Sequence, residues 1–93
     1  MSGLAPVTNK PHWYVYILKC ADNTLYTGIT IDVERRIEEH NHDNKLAAKY
    51  TRVRRPVKLV YHEKLKSRSL AAKREAEIKK LKRNAKKMLL TNI

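Results

Sequence analysis

The sequence predicts an α+β fold, a small three-stranded antiparallel sheet flanked by helices in the order β-β-α-β-α-α. Three short segments rich in aromatic and β-branched residues predict the strands. Longer charged segments, in which apolar residues recur at helical spacing, predict the helices. A chain of 93 residues has the length of one domain with one modest core.

The first two strands are predicted at Trp13–Cys20 and Leu25–Ile31. A three-residue loop between them would give Asn23 a left-handed backbone. In the resulting register Tyr16 faces Gly28, and the glycine leaves room above the sheet for a ring or a ligand. Tyr16 and Tyr26 would then point to the same face of the sheet.

The next segment predicts a helix that begins after Asp32, a good N-cap, and ends near Asp43. Val33 and Ile37 mark its apolar stripe. Arg36 and His40 border that stripe, so we expect both to be half-buried beside the sheet. The other charged residues of the helix are expected to face water: Glu34, Arg35, Glu38 and Glu39.

The second half of the chain predicts one strand and two helices. The strand is expected at Val57–Leu65, after a loop with one helical turn at Leu46–Tyr50. A long basic helix follows at Ser67–Arg83, capped by Ser67 or Ser69, with Leu70, Ala71, Ile78 and Leu81 on its apolar side. A short helix at 85–92 is expected to pack Met88, Leu89 and Leu90 on the core.

The charge of the chain predicts a polyanionic partner. Lys and Arg number 21 against 9 Asp and Glu, a formal net charge of +12. Nucleic acid is the leading candidate and an anionic membrane surface the second. The terminal helix has few large apolar residues and no Trp or Phe, which disfavours the membrane. The predicted nucleic-acid-binding residues are Lys49, Tyr50, Arg52, Arg54, Arg55, Lys79, Lys80, Lys82 and Arg83.

The single cysteine, Cys20, cannot form an internal disulfide and is typical of a reducing compartment, so we expect a cytoplasmic protein. Residues 1–12 predict a flexible leader and residues 13–93 the domain. The four histidines and one cysteine show no zinc-ligand spacing. We expect no organic cofactor, and a monomer is favoured.

One group of side chains suggests chemistry on a phosphodiester. Tyr16, Tyr26, Arg36 and His40 are predicted on or beside one sheet face. Cleavage of a phosphodiester needs a group that orients or deprotonates water, a cation on the phosphate, and often a divalent metal. An arginine fork suits a phosphate.

Two motifs carry a resemblance to a known family. "YVY" at 14–16 and "YTG" at 26–28 are followed by Arg36 and, one turn later, His40. In this order and spacing the chain resembles the GIY-YIG nuclease superfamily, and in particular its small stand-alone bacterial members. The resemblance covers about residues 13–83. One departure is Tyr14, which stands where the first motif has glycine.

The resemblance implies metal-dependent cleavage of DNA, with Mg²⁺ or Mn²⁺ as cofactor. It implies catalytic roles for Tyr16, Tyr26, Arg36, His40 and Glu75, with Glu75 as the metal ligand. The helical pattern alone leaves Glu77 as an alternative ligand.

We therefore expect Tyr16, Tyr26, Arg36 and Glu75 to line one shallow groove. A divalent-metal-dependent endonuclease, acting on branched or damaged DNA in repair or recombination, is the first hypothesis, with RNA as an alternative substrate. A non-catalytic nucleic-acid-binding module of the same fold is the second.

Overall fold

A computed structural model describes residues 12–91, apart from the side chains of Arg83 and Thr91. The predicted leader therefore lies, except for His12, outside the described residues. The elements follow in order: β1 (Trp13–Lys19), β2 (Leu25–Thr30), α1 (Val33–His42), α2 (Lys49–Arg52), β3 (Lys58–Leu65), α3 (Arg68–Lys80) and α4 (Arg83–Thr91). Both strand pairs are antiparallel and the sheet order is β2-β1-β3, which confirms the predicted fold class.

The β1–β2 hairpin has the predicted register. Tyr16 pairs with Gly28 and Leu18 with Tyr26. The Cys20 amide donates to the Thr24 carbonyl (2.8 Å), and Asn23 adopts a positive φ of 69°, which closes the three-residue loop.

The two sides of the sheet carry different helices. Val15 and Ile17 pack against Ile78 of α3 and against Leu89 and Leu90 of α4. On the other side, a second cluster centred on Tyr16 and Leu18 packs against Ile37 of α1. Tyr16, Tyr26 and α1 with Arg36 and His40 lie on this second side, whereas Glu75 belongs to α3. No helix in the described part of the chain is both long and apolar enough to cross a membrane.

The long basic helix predicted at Ser67–Arg83 is shorter in the structure. The backbone of Leu81 is extended (φ −68°, ψ 139°), so α3 ends at Lys80 and α4 begins at Arg83. Ser67 is the N-cap, accepting from the Leu70 amide at 3.1 Å.

Two residues expected in the core are exposed. Leu70 is 47% exposed, because the buried stripe of α3 follows Ala71 and Ile78 and Leu70 lies about 100° away from it. Met88 is 70% exposed, while its neighbours Leu89 and Leu90 make the core contact.

The first helix begins after its predicted cap, with the Asp32 carboxylate accepting from the Arg35 amide at 3.1 Å. Two expectations about its burial were wrong. His40 is fully buried rather than half-buried, because polar groups on both of its sides satisfy its ring nitrogens. Glu39 does not face water: its side chain is 19% exposed and accepts from Arg36.

The short helix α2 lies at Lys49–Arg52, later than the turn predicted at Leu46–Tyr50. This shift brings the side chain of Thr51 inward, where it is fully buried against His40.

Candidate active site

The phenol of Tyr16 lies in the space left by a glycine. Tyr16 is 1% exposed, and a Cβ at Gly28 would lie 2.5 Å from its Oη and 2.7 Å from its Cζ. Such distances are far inside van der Waals contact, so only glycine permits this position of the ring. The space predicted above Gly28 is therefore filled by a ring. Tyr16 cannot line an open groove, and that part of the expectation was wrong.

A chain of hydrogen bonds fixes the Tyr16 hydroxyl. The Thr51 hydroxyl donates to the Ala48 carbonyl (3.0 Å), so its oxygen must accept from His40 Nδ1 (2.7 Å). His40 then carries its proton on Nδ1, which leaves Nε2 as an acceptor. The Tyr16 hydroxyl accordingly donates to His40 Nε2 at 2.8 Å.

Burial keeps His40 neutral. Loss of solvent and, after it, the nearby positive charge of Arg36 together lower the pKa of His40 to about 4. A neutral ring with an unprotonated Nε2 is the form that the hydrogen-bond chain requires at neutral pH.

Burial also keeps Tyr16 protonated. Loss of solvent, followed by the charges of Tyr26 and Glu75, raises the pKa of Tyr16 to about 12, although Arg36 opposes the rise. The free protein therefore holds a neutral phenol here.

Arg36 lies between helix α1 and the loop that follows it. Its Nη1 donates to Glu39 Oε1 (2.8 Å) and to the Leu46 carbonyl (2.7 Å), and its side chain remains 24% exposed. Burial alone would lower the pKa of Arg36, but Glu39 and Tyr16 outweigh it and raise the pKa, so the guanidinium stays charged. A fixed cation thus stands beside the Tyr16 hydroxyl.

Tyr26 joins this cluster from the neighbouring strand. Its ring centroid lies 5.2 Å from that of His40 and 6.4 Å from that of Tyr16. The predicted placement of both tyrosines on one face is confirmed. On its other side Tyr26 stacks on Tyr50, with centroids 6.1 Å apart and ring planes 23° apart.

Glu75 and Glu77 have different surroundings. The charge of Glu75 acts on Tyr16, its side chain is 24% exposed, and its Oε2 pairs with Lys79 at 3.4 Å. Glu77 is 52% exposed and pairs with Arg74, which also binds Glu63 at 2.9 Å. Of the two carboxylates, Glu75 is the one electrostatically coupled to Tyr16.

The described residues contain no cluster of three or more His, Cys, Asp or Glu that could hold a metal unaided. One carboxylate with waters and a substrate phosphate suffices for Mg²⁺. Glu75 is partly exposed and its charge acts on Tyr16, so it fits such a ligand.

The predicted nucleic-acid-binding residues, apart from Arg83, fall into three groups. Tyr50 and Arg54 lie beside Tyr26, with the Arg54 guanidinium 3.8 Å from the Tyr50 centroid. Arg52 and Arg55 are engaged by the loop itself: Arg52 donates to the Asn44 carbonyl (2.8 Å) and Arg55 to the His40 carbonyl (2.7 Å). The four lysines of the predicted set are exposed: Lys49, Lys79, Lys80 and Lys82. The Arg83 side chain lies outside the described part of the structure.

Sequence reasoning missed three contributors. Thr51 fixes the His40 tautomer, Asp22 holds Arg54 (3.1 Å), and Lys86 lines an open groove beside Tyr26. Thr51 and Asp22 lie 11 and 32 residues from their partners, and no local pattern reports such contacts.

Comparisons with known proteins identify the family of this chain. A family model described as the GIY-YIG catalytic domain matches residues 12–88. A UPF0213 protein of Desulfotalea psychrophila is 55% identical over 85 residues, which are 91% of this chain and 76% of that protein. A UPF0213 protein of Syntrophus aciditrophicus is 56% identical, over 83% of this chain and 87% of that protein.

Two solution NMR structures are similar as well. A UPF0213 protein from Bacillus halodurans has a TM-score of 0.55 and 44% identity, covering 86% of this chain and 83% of that one. A protein from E. faecalis has a TM-score of 0.60 and 43% identity, covering 90% and 88%. The chain therefore belongs to the GIY-YIG family of nuclease domains. Within this family, its homologues are UPF0213 proteins, small single-domain members.

Proposed function

We propose that this protein is a divalent-metal-dependent endonuclease that hydrolyses phosphodiester bonds in DNA. The observation that carries the proposal is the directed chain Tyr16–His40–Thr51, with the Arg36 cation beside its first hydroxyl. Two pKa values that are shifted by burial, within one hydrogen-bonded chain and beside a cation, are typical of a functional site.

The chain of hydrogen bonds suggests how a water molecule is activated. The Tyr16 proton points to His40 Nε2, so the lone pairs of its oxygen remain for a proton from the attacking water. As Tyr16 takes that proton, its own proton passes to His40, whose ring Thr51 holds in place. In this relay His40 is the final proton acceptor. Its pKa is about 4 in the free protein, and the negative charge of a bound phosphate would raise that pKa and so favour the transfer.

Arg36 would stabilise the charge that develops on the phosphate. Its guanidinium is anchored by Glu39 and Leu46 and needs little reorganisation when the substrate arrives. Glu75 would hold the divalent cation, which when bound would polarise the phosphate and lower the pKa of a bound water. Lys79 must release Glu75 for this, and a substrate phosphate is the natural second partner for the ammonium group.

We propose DNA as the substrate because the net charge of +12 suits a polyanion, with branched or damaged DNA in repair or recombination as the setting. The deciding experiment is a cleavage panel of single-stranded, duplex, flapped and four-way DNA with Mg²⁺, Mn²⁺ or EDTA. We expect metal-dependent cleavage of at least one substrate. Glu75→Gln should abolish it while DNA binding is kept or strengthened, and the matched control Glu77→Gln should stay within a few-fold of the wild type.

Arg36→Ala should lower the cleavage rate about 10²–10³-fold, the usual effect of losing one group that stabilises transition-state charge. DNA affinity should change little, because many other cations remain.

If the Glu75 and Glu77 results are reversed, the metal ligand has been assigned two residues away from its true position.

A second function is favoured by two observations. Tyr16 is 1% exposed and Glu75 is already paired with Lys79, as suits a module that binds nucleic acid without cutting it. A wild type that binds DNA but leaves the whole panel uncut with both metals would select this function.

A further inference from the structure

Three planar groups form a continuous stack that leads away from the candidate site. Tyr26 lies 5.2 Å from His40, Tyr50 stacks on Tyr26 at 6.1 Å, and the Arg54 guanidinium lies 3.8 Å from the Tyr50 centroid. We call Tyr26, Tyr50 and Arg54 the stacking ladder.

The outer members of the ladder are held in place. Arg54 Nε donates to Asp22 Oδ2 (3.1 Å) and its Nη1 to the Tyr50 carbonyl (2.9 Å). Asp22 is itself fixed by the Thr24 hydroxyl, which donates to it at 2.6 Å. Tyr50 nevertheless remains 37% exposed and the Arg54 side chain 32% exposed. These side chains are therefore held in place while partly exposed, so they have little side-chain entropy left to lose on binding.

A groove runs beside the ladder. It is lined by Leu25, Tyr26 and Thr27 of β2, by Tyr50 of α2, and by Lys79 of α3 and Lys86 of α4. Two tyrosines and two lysines thus line the same groove. This combination suits a single strand of nucleic acid, whose bases stack on aromatic planes while its phosphates meet lysines. A duplex cannot use it in the same way, because its bases are already paired and stacked on each other.

We propose that this groove binds a single strand, with one unpaired base on the stacking ladder. The proposal rests on the proposed nuclease function. Tyr26 belongs both to the stacking ladder and to the candidate active site, and it therefore places the groove beside that site. The base on the ladder is then adjacent to the phosphate that is cut, and the enzyme acts on unpaired regions of DNA.

The test measures binding in EDTA, so that cleavage plays no part. Fluorescence polarisation compares a labelled oligothymidylate, the same backbone without bases, a duplex of equal length, and a single-stranded RNA. We expect the wild type to prefer the strand with bases over the abasic strand and the duplex. Tyr50→Ala should weaken binding of that strand about 5- to 150-fold, the range found for one stacked base, and should change duplex binding less than about threefold.

Matched variants separate stacking from charge and folding. Tyr50→Phe keeps the ring and should bind like the wild type. Arg54→Lys keeps the charge but loses the plane, so it should weaken the strand with bases and leave the abasic strand unchanged. Lys86→Ala should weaken both single strands, whereas Lys66→Ala, an exposed lysine outside the groove, should weaken them less. RNA bound as tightly as DNA supports the inference, because stacking does not depend on the sugar.

The outcomes distinguish this inference from the nuclease proposal. If single strands bind with this pattern but nothing is cut, the endonuclease assignment fails and the groove stands. If the protein cuts duplex DNA and Tyr50→Ala weakens duplex and single strand equally, the groove assignment fails and the endonuclease stands. Tighter binding of duplex than of single strand by the wild type would also overturn the groove assignment. If Tyr50→Ala has no cooperative melting transition, the variant is unfolded, and the binding of Arg54→Lys then decides the test.

Discussion

The Tyr16 hydroxyl has properties that come from its neighbours rather than from the phenol itself. Burial raises its pKa to about 12, which would make it an inert core residue. The charge of Arg36 acts in the opposite sense, because it stabilises the anion, and His40 Nε2 accepts the hydroxyl proton in a hydrogen bond of 2.8 Å. A buried hydroxyl between an acceptor and a cation is poised for proton transfer.

Gly28→Ala tests how tightly this hydroxyl is positioned. The new methyl group would lie 2.5 Å from Tyr16 Oη, so the ring must move and its hydrogen bond to His40 must lengthen. We expect a loss of about 1–3 kcal/mol in the free energy of unfolding, as is usual for overpacking, together with loss of cleavage. Denaturant unfolding measures the first effect and the cleavage panel the second.

A double-mutant cycle supplies the control. Tyr16→Phe removes the nearest atom, so Gly28→Ala should cost less in that background than in the wild type. If Gly28→Ala lowers the free energy of unfolding equally in the two backgrounds, the new methyl group does not contact the Tyr16 hydroxyl.

The sequence predicted contacts made within one element or one hairpin better than contacts between distant segments. The Tyr16–Gly28 pairing was predictable because a tight turn fixes strand register. The burial of Thr51 was not, because it depends on where the irregular loop after α1 brings α2. The same loop engages Arg55, which composition alone indicated as a nucleic-acid ligand.

At the scale of elements, Arg55 joins the end of α1 to the loop that precedes β3. Its guanidinium donates to the carbonyls of His40 (2.7 Å) and Asp43 (3.1 Å) and to Asn44 Oδ1 (2.9 Å). The last carbonyls of a helix have no partner within it, and a cation there also interacts favourably with the helix dipole. Arg55 therefore stabilises the segment that presents His40.

Arg55→Ala should consequently act on stability before it acts on binding. Loss of a charged donor from these oxygens should lower the free energy of unfolding by about 1–3 kcal/mol. Lys49→Ala, an exposed lysine from the same predicted binding set, should change it by less than about 0.5 kcal/mol. Chemical denaturation of both variants gives the comparison. If both variants lower the free energy of unfolding by the same small amount, Arg55 is not needed for stability and its predicted role in binding nucleic acid stands.

Helix α3 shows where periodicity stops being informative. The pattern predicted Ile78 and Ala71 correctly as buried, but it extended the helix across Leu81 and placed Leu70 in the core. The segment "KKLKRN" at 79–84 contains no glycine or proline that would mark the break. The break lets α4 turn back so that Leu89 and Leu90 reach Val15 and Ile17, a tertiary gain that local propensity does not report.

For the whole molecule, charge and burial act on stability in different ways. The net charge of +12 at pH 7 makes the folded chain repel itself, and a bound polyanion relieves that repulsion. The hydrogen-bonded pair Tyr16–His40 instead makes stability depend on pH within two definite windows, because folding shifts both pKa values away from those of the unfolded chain.

The acid window is set by His40. Its pKa falls from 6.5 in the unfolded chain to about 4 in the folded one. Between these values the unfolded chain binds a proton that the folded protein refuses, so stability is present above pH 6.5 and falls as the pH drops towards 4. The difference amounts to about 3 kcal/mol. Thermal melting followed across this range should show the loss, and His40→Gln, which cannot titrate, should reduce its slope.

The alkaline window is set by Tyr16, and its sign is the opposite. Its pKa rises from 10.0 to about 12, so between these values the folded protein keeps a proton that the unfolded chain loses. Stability should therefore fall as the pH rises from 10 to 12, by about 3 kcal/mol, and Tyr16→Phe should remove that part of the fall. Other tyrosines and lysines titrate here as well, so the difference between wild type and variant is the quantity to measure. Two results together would contradict this account. The melting temperatures of the wild type and Tyr16→Phe would fall in parallel above pH 10, and those of the wild type and His40→Gln would fall in parallel below pH 6.5. Neither group would then be as deeply buried as its surroundings indicate. The proton relay would then lose the enclosed environment on which it depends.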